Sequence, residues 1–152
     1  MKTFSHWSNV HKRDVRFHIY SPDEEDLYPL VYIIPDSNGE VGQDEVVRKS
    51  NFQKWAYRYK LAVVIPDVTH EEVIEGGCFD ETCRSHRMTS LMEKTHEYVS
   101  QELDYVISEN QPVIKGRQSI IGIGRGSNLA LMCGVNSPRN YNSLSVFINS
   151  PY

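Results

Sequence analysis

The sequence predicts an α/β fold, a doubly wound and mainly parallel sheet flanked by helices, in shortened form. Three short apolar runs, Leu30–Ile34, Leu61–Ile65 and Ser119–Ile123, are each bounded by Pro, Asp or Gly. Such runs suit strands buried on both faces of a parallel sheet. Between them lie stretches with apolar residues at helical spacing, and strands alternating with helices imply crossover connections. The last run ends in a glycine-rich turn that opens another helix.

Taken in order, Val15, Phe17 and Ile19 alternate with polar neighbours, so Arg13–Tyr20 reads as a half-exposed strand. That pattern puts His18 on the exposed face. Asp23–Asp26 reads as a solvated hairpin turn before Leu27, and Tyr28–Pro35 as the next strand. Phe52, Trp55, Ala56 and Tyr59 mark a helix with Ser50 or Asn51 as N-cap. Asp67–Met92 shows no clear periodicity and reads as a solvated loop. It holds Cys78, Cys83 and His86, but C-x4-C-x2-H supplies three donors, and zinc would need a fourth from His70 or a carboxylate. The expectation there is a solvated loop and no metal, with a Cys78–Cys83 disulfide only in an oxidising setting.

Tyr98, Val99, Leu103, Val106 and Ile107 mark the longest helix, with His96 on its surface. His6, His11 and His86 are scattered and show no orienting partner of the kind a catalytic base needs. Cys133, on an apolar helix face, reads as a small buried hydrophobe. Ser143–Ile148 is the last strand.

The turn Gly122-Ile123-Gly124-Arg125-Gly126 has the shape of a nucleophile elbow, Gly-x-Ser-x-Gly between a strand and a helix, with glycine at the nucleophile position. A side chain there sits in a strained backbone, whereas glycine reaches positive φ without a Cβ clash. Ser127 falls in the first helical turn, where its hydroxyl is expected to cap or pack. The loop is not a dinucleotide fingerprint. Ser127 stands where the third glycine of Gly-x-Gly-x-x-Gly belongs, and Ser143–Val146, about 20 residues on, carries no acid. No cofactor is expected.

From about Arg13 to Tyr152 the chain resembles the esterase D and tributyrin-esterase group of α/β-hydrolases. The resemblance rests on Tyr28–Pro35, Asn51–Asp67, His96–Val113, the elbow and Asn136–Phe147 in that order. It implies the α/β-hydrolase fold and serine hydrolysis of esters and thioesters by Ser, Asp and His in chain order. The departures are specific. Gly124 stands at the serine position, and 28 residues follow it, fewer than the Asp and His loops of the group require. Where the group places His-Gly or Ser-Gly-Leu for its oxyanion hole, this chain has Pro35-Asp36-Ser37-Asn38-Gly39. An aspartate beside a developing oxyanion opposes the charge such a site must stabilise.

The expectation is therefore a single truncated α/β-hydrolase-like domain over 1–152, catalytically inactive, with no catalytic residue. It would bind a partner or small anionic ligand through Asp36, Ser37, Arg125 and Gly126. The alternative is a serine-type carboxylesterase or thioesterase with an unusual nucleophile, Ser127 being the one candidate, or one completed by a second chain. A formal charge of −4 argues against nucleic acid and an anionic membrane as partners. Three cysteines and the lack of an apolar leader at residues 1–7 point to the cytoplasm. Because the chain stops at Tyr152, Ser143–Ile148 is expected to be an apolar sheet edge that a homodimer or another protein chain covers.

Overall fold

A computed structural model describes residues 1–36, 43–68 and 90–148. Six strands form one sheet: β1 (Lys2–Ser8), β2 (Arg13–Tyr20), β3 (Tyr28–Ile34), β4 (Ala62–Pro66), β5 (Val113–Ile123) and β6 (Ser143–Phe147). Their spatial order is β1-β2-β4-β3-β5-β6. β1 and β2 run antiparallel to each other, and β2 antiparallel to β4. β4, β3, β5 and β6 are mutually parallel. This is the mostly parallel sheet of a shortened α/β-hydrolase fold.

The apolar runs become the central strands. Every residue of β4 is buried, and β3 alternates its side chains between two cores. Leu30, Tyr32 and Ile34 point to one side with Tyr98, Leu103, Ile107 and Leu129; Ile33, Val63 and Ile65 point to the other with Val46 and Ala56. Helices α3 (90–110) and α4 (Gly126–Asn136) cover the first face, α1 (Gln43–Lys49) and α2 (Phe52–Tyr59) the second. Burying each large aliphatic side chain stabilises the fold by about 1.5–3 kcal/mol before entropy is counted.

Several local expectations are corrected. β1 has no clean alternation in KTFSHWS, yet it pairs along its whole length with β2, and Phe4 stacks on Phe17 at 5.6 Å. His18 is buried: Thr3 Oγ1 lies 2.7 Å from its Nδ1, and its Nε2 lies 3.1 Å from Asp44 Oδ1. Its strand face is covered by α1, which the alternation of β2 could not reveal. Asn51 occupies the N-cap of α2 without a side-chain cap bond. The loop expected to reach Met92 has become helix by residue 90, while Cys78, Cys83, His86 and His70 lie outside the described residues. Asp23 Oδ1 accepts the N–H groups of Glu25 and Asp26 and the Tyr28 hydroxyl, so the acidic run is a built turn.

Helix α3 contains a π-helical turn over Tyr98–Leu103. Around it, Ser100 O accepts from Asn140 Nδ2, Ser100 Oγ bonds the Tyr141 hydroxyl, and His96 Nε2 meets Ser137 Oγ. The wide turn thereby ties down the segment that carries the chain from α4 into β6.

Candidate functional site

The site lies where β5 ends and α4 begins. Gly124 adopts φ +56°, a left-handed conformation that an L side chain reaches only with strain. Its N–H donates to Phe147 O at 2.8 Å, so the elbow is stitched to the end of β6. Two flanking glycines allow the turn to close. A Cβ on Gly122 would lie 2.5 Å from Ser127 Cα, and one on Gly126 would run into the carbonyl oxygens of Ile34 and Pro35. Both contacts are with backbone, which cannot rotate away. α4 is thus pressed against the ends of β3 and β5, and each glycine is required by that approach.

Asp36, at the position of the group's oxyanion-hole motif, sits directly on the elbow. A Cβ built on Gly124 would be 2.5 Å from Asp36 Oδ2 and 3.0 Å from its Cγ. The carboxylate therefore occupies the volume into which a nucleophile at this position would project. Glycine at the elbow and aspartate after β3 thus meet in one space.

Ser127 is buried, and its hydroxyl donates to Gly122 O at 3.2 Å, with Phe147 O at 3.5 Å. Its N–H donates to Gly124 O. The side chain braces the elbow, and among the described residues no basic group bonds it. Three histidines have hydrogen bonds elsewhere: His6 with Tyr98, His18 with Thr3 and Asp44, and His96 with Ser137. Cys133 is buried under α4 as expected, and burial pushes its thiol up to about 11, so no thiolate is available there. Arg125 is exposed in helical backbone just before α4, and no ion pair joins it to Asp36. Ser37 lies outside the described residues.

The sequence profile of the Putative esterase family matches residues 8–152. The chain belongs to the Putative esterase family. It is 28% identical to the S-formylglutathione hydrolase of Mus musculus over 96% of its own length and 55% of that protein. It is 26% identical to that of Paracoccus denitrificans over 95% and 55%. The chain thus spans about half the length of these relatives. Among solved structures, an S-formylglutathione hydrolase from Agrobacterium tumefaciens superposes with a TM-score of 0.74 at 23% identity, covering 95% of this chain and 56% of that one. A ferulic acid esterase from Anaeromyces mucronatus superposes at 0.72 and 13%, covering 96% and 57%. At those identities the superpositions establish the fold alone. No helix among the described residues is long and apolar enough to cross a membrane.

Asp36 was legible as a departure from an oxyanion-hole motif. Its destination was not, because the β3–β5 pairing that carries it to the elbow is a long-range contact. The role of Phe147 O as acceptor for the elbow had no sequence signal at all.

Proposed function

We propose that this esterase-family chain is catalytically inactive and works in the cytoplasm as a ligand- or partner-binding domain. The observation that carries the reading is the overlap of Asp36 with the side-chain position of residue 124. A nucleophile there would have to displace a carboxylate, and an acyl oxyanion forming beside it would meet like charge. Ser127 does not replace it, since its hydroxyl is committed to main-chain carbonyls. A serine-directed fluorophosphonate probe should therefore leave the elbow peptide, residues 119–132, unlabelled, and labelling of Ser127 would overturn the reading.

The proposed ligand site brings together Asp36, the exposed Arg125 and the start of α4 at Gly126; Ser37, also expected there, lies outside the described residues. The Arg125 side chain and the positive end of the α4 dipole favour a small anion, although the Ser127 and Asn128 N–H groups already donate to Gly124 O and Arg125 O, and Asp36 limits how tightly one is held. Arg125→Ala should abolish any thermal stabilisation by phosphate; an unchanged response would mean that the turn holds no ligand. The partner is a second copy or another protein chain docking along β6, where Leu144, Phe147 and Ile148 are exposed.

A second reading is favoured by the likeness to S-formylglutathione hydrolases. On that reading the chain is a carboxylesterase or thioesterase whose missing groups come from a second chain. It predicts that turnover appears only on addition of that chain.

A further inference from the structure

We propose that the outer face of α2 is a docking surface for anionic lipid bilayers, separate from the elbow and independent of its reading. From Arg48 to Lys60 the sequence RKSNFQKWAYRYK holds five basic residues and no acidic one, in a chain with 16 basic and 20 acidic residues. The chain-wide balance of −4 conceals this reversal. α2 buries Ala56 against the sheet and packs Phe52 beside it. Its remaining large side chains face water: Trp55, Tyr57 and Tyr59 are 48%, 58% and 61% exposed.

They form two groups, Trp55 with Tyr59 on one flank of the helix and Tyr57 on the other, since residues two apart do not share a face. Trp55 and Tyr59, one helical turn apart, stack with centroids 6.1 Å apart at 15°. The Arg58 guanidinium lies 5.6 and 5.7 Å from their two centroids, and Lys60 Nζ lies 4.7 Å from that of Tyr57. Lys54 is exposed on the same helix. Arg48 and Lys49 are exposed in the last turn of α1 and, although engaged in contacts of their own, add positive charge beside it. Asp23 feels the charge of Lys60, which marks the acidic boundary of the patch.

The stacked pair Trp55–Tyr59, with Tyr57 on the opposite flank, exposes aromatic surface that a partner would cover. The partner must be anionic to complement Lys54, Arg58 and Lys60. It must also take rings with an apolar body and a polar tip, and Trp and Tyr rather than Phe or Leu make up this face. An exposed helix face offers a convex surface, which suits an extended plane better than a peptide or a small molecule. A single-stranded nucleic acid would need open ring faces for stacking, whereas Trp55 and Tyr59 are stacked on each other beneath Arg58. An anionic headgroup layer satisfies each condition: amphipathic rings settle at headgroup depth while basic side chains meet lipid phosphates and carboxylates. α2 runs back from the elbow end of the sheet to the start of β4, so its C-terminal residues Tyr57–Lys60 lie at the opposite end from Gly124.

The test is partition into vesicles of phosphatidylcholine alone and of phosphatidylcholine with 30% phosphatidylserine, at low and physiological salt. Each basic residue near a charged surface contributes about a fivefold factor. Lys54→Glu with Arg58→Glu should therefore reduce binding to anionic vesicles by about 30-fold or more. Trp55→Ala with Tyr59→Ala should weaken it without removing its salt dependence. In a Trp7→Phe background, the fluorescence of Trp55 should shift to the blue on anionic vesicles. All four substituted side chains are exposed, so circular dichroism should report an unchanged fold. Charge reversal at Lys115, exposed on β5 and paired with Glu109, should leave binding as it was. Failure to bind anionic vesicles at low salt, equal binding to neutral ones, or indifference to Lys54→Glu/Arg58→Glu would overturn the proposal.

Discussion

At the scale of single residues, the elbow is a problem of space before it is one of chemistry. Gly124 combines a left-handed φ with a carboxylate sitting where its Cβ would be. Gly124→Ala should lower stability by about 2–4 kcal/mol, part from backbone strain and part from overpacking. In an Asp36→Ala background the same substitution should cost about 1–2 kcal/mol, because the strain remains and the collision is gone. Urea unfolding of the four proteins measures the coupling; equal costs in both backgrounds would show that Asp36 does not fill the elbow. Gly126→Ala should be worse than either, since its obstacles are the carbonyls of Ile34 and Pro35. The odd glycine at 124 could be read from the chain because elbows have a local signature. What took its place could not, since Asp36 and Gly124 are 88 positions apart and meet only through strand pairing.

At the scale of elements, the strongly periodic segments were readable and the adaptations between them were not. β3, β4 and the end of β5 announce themselves as apolar runs, and α2 and α3 as helical periodicity. β1 and the π-turn of α3 do not, because both depend on partners from distant sequence. Glu102 joins these two elements: it accepts from Ser8 Oγ at 2.6 Å and from the N–H groups of Asn9 and Val10. Burial tends to raise its pKa, but those three hydrogen bonds outweigh that and hold it below the ordinary value. A carboxylate whose pKa is depressed by folding stabilises above its unfolded pKa and loses that contribution as pH falls through the folded one. Glu102→Gln should therefore cost about 1–2 kcal/mol at pH 7, and the gap to the parent should shrink below about pH 4. A gap that stays constant down to pH 3 in thermal melts would mean the charge of Glu102 is not what holds the hairpin.

At the scale of the whole molecule, the sheet is covered unevenly. α3 and α4 close one face, and α1 and α2 close the other over β3 and β4. Leu144 meets Gly134 of α4, so Phe147, three residues on, faces the side away from α4. There it is 62% exposed, beside the half-buried Ile121 and Ile123 of β5. β6 is the outermost strand among the described residues, and its outer edge adjoins that exposed face. An apolar edge of this kind is normally paired or blunted. Sedimentation at high micromolar concentration should thus give an assembled species, and Phe147→Glu should shift it toward monomer with little loss of thermal stability. A monodisperse monomer before substitution would contradict the assembly.

The central claim, that an esterase scaffold has kept its elbow and lost its chemistry, is tested most directly by steady-state hydrolysis of p-nitrophenyl acetate and butyrate. The account predicts rates equal to those of buffer with albumin, both for the parent and for Gly124→Ser, because restoring a hydroxyl supplies neither base nor oxyanion donors. Turnover that saturates with substrate and disappears in Ser127→Ala would contradict it.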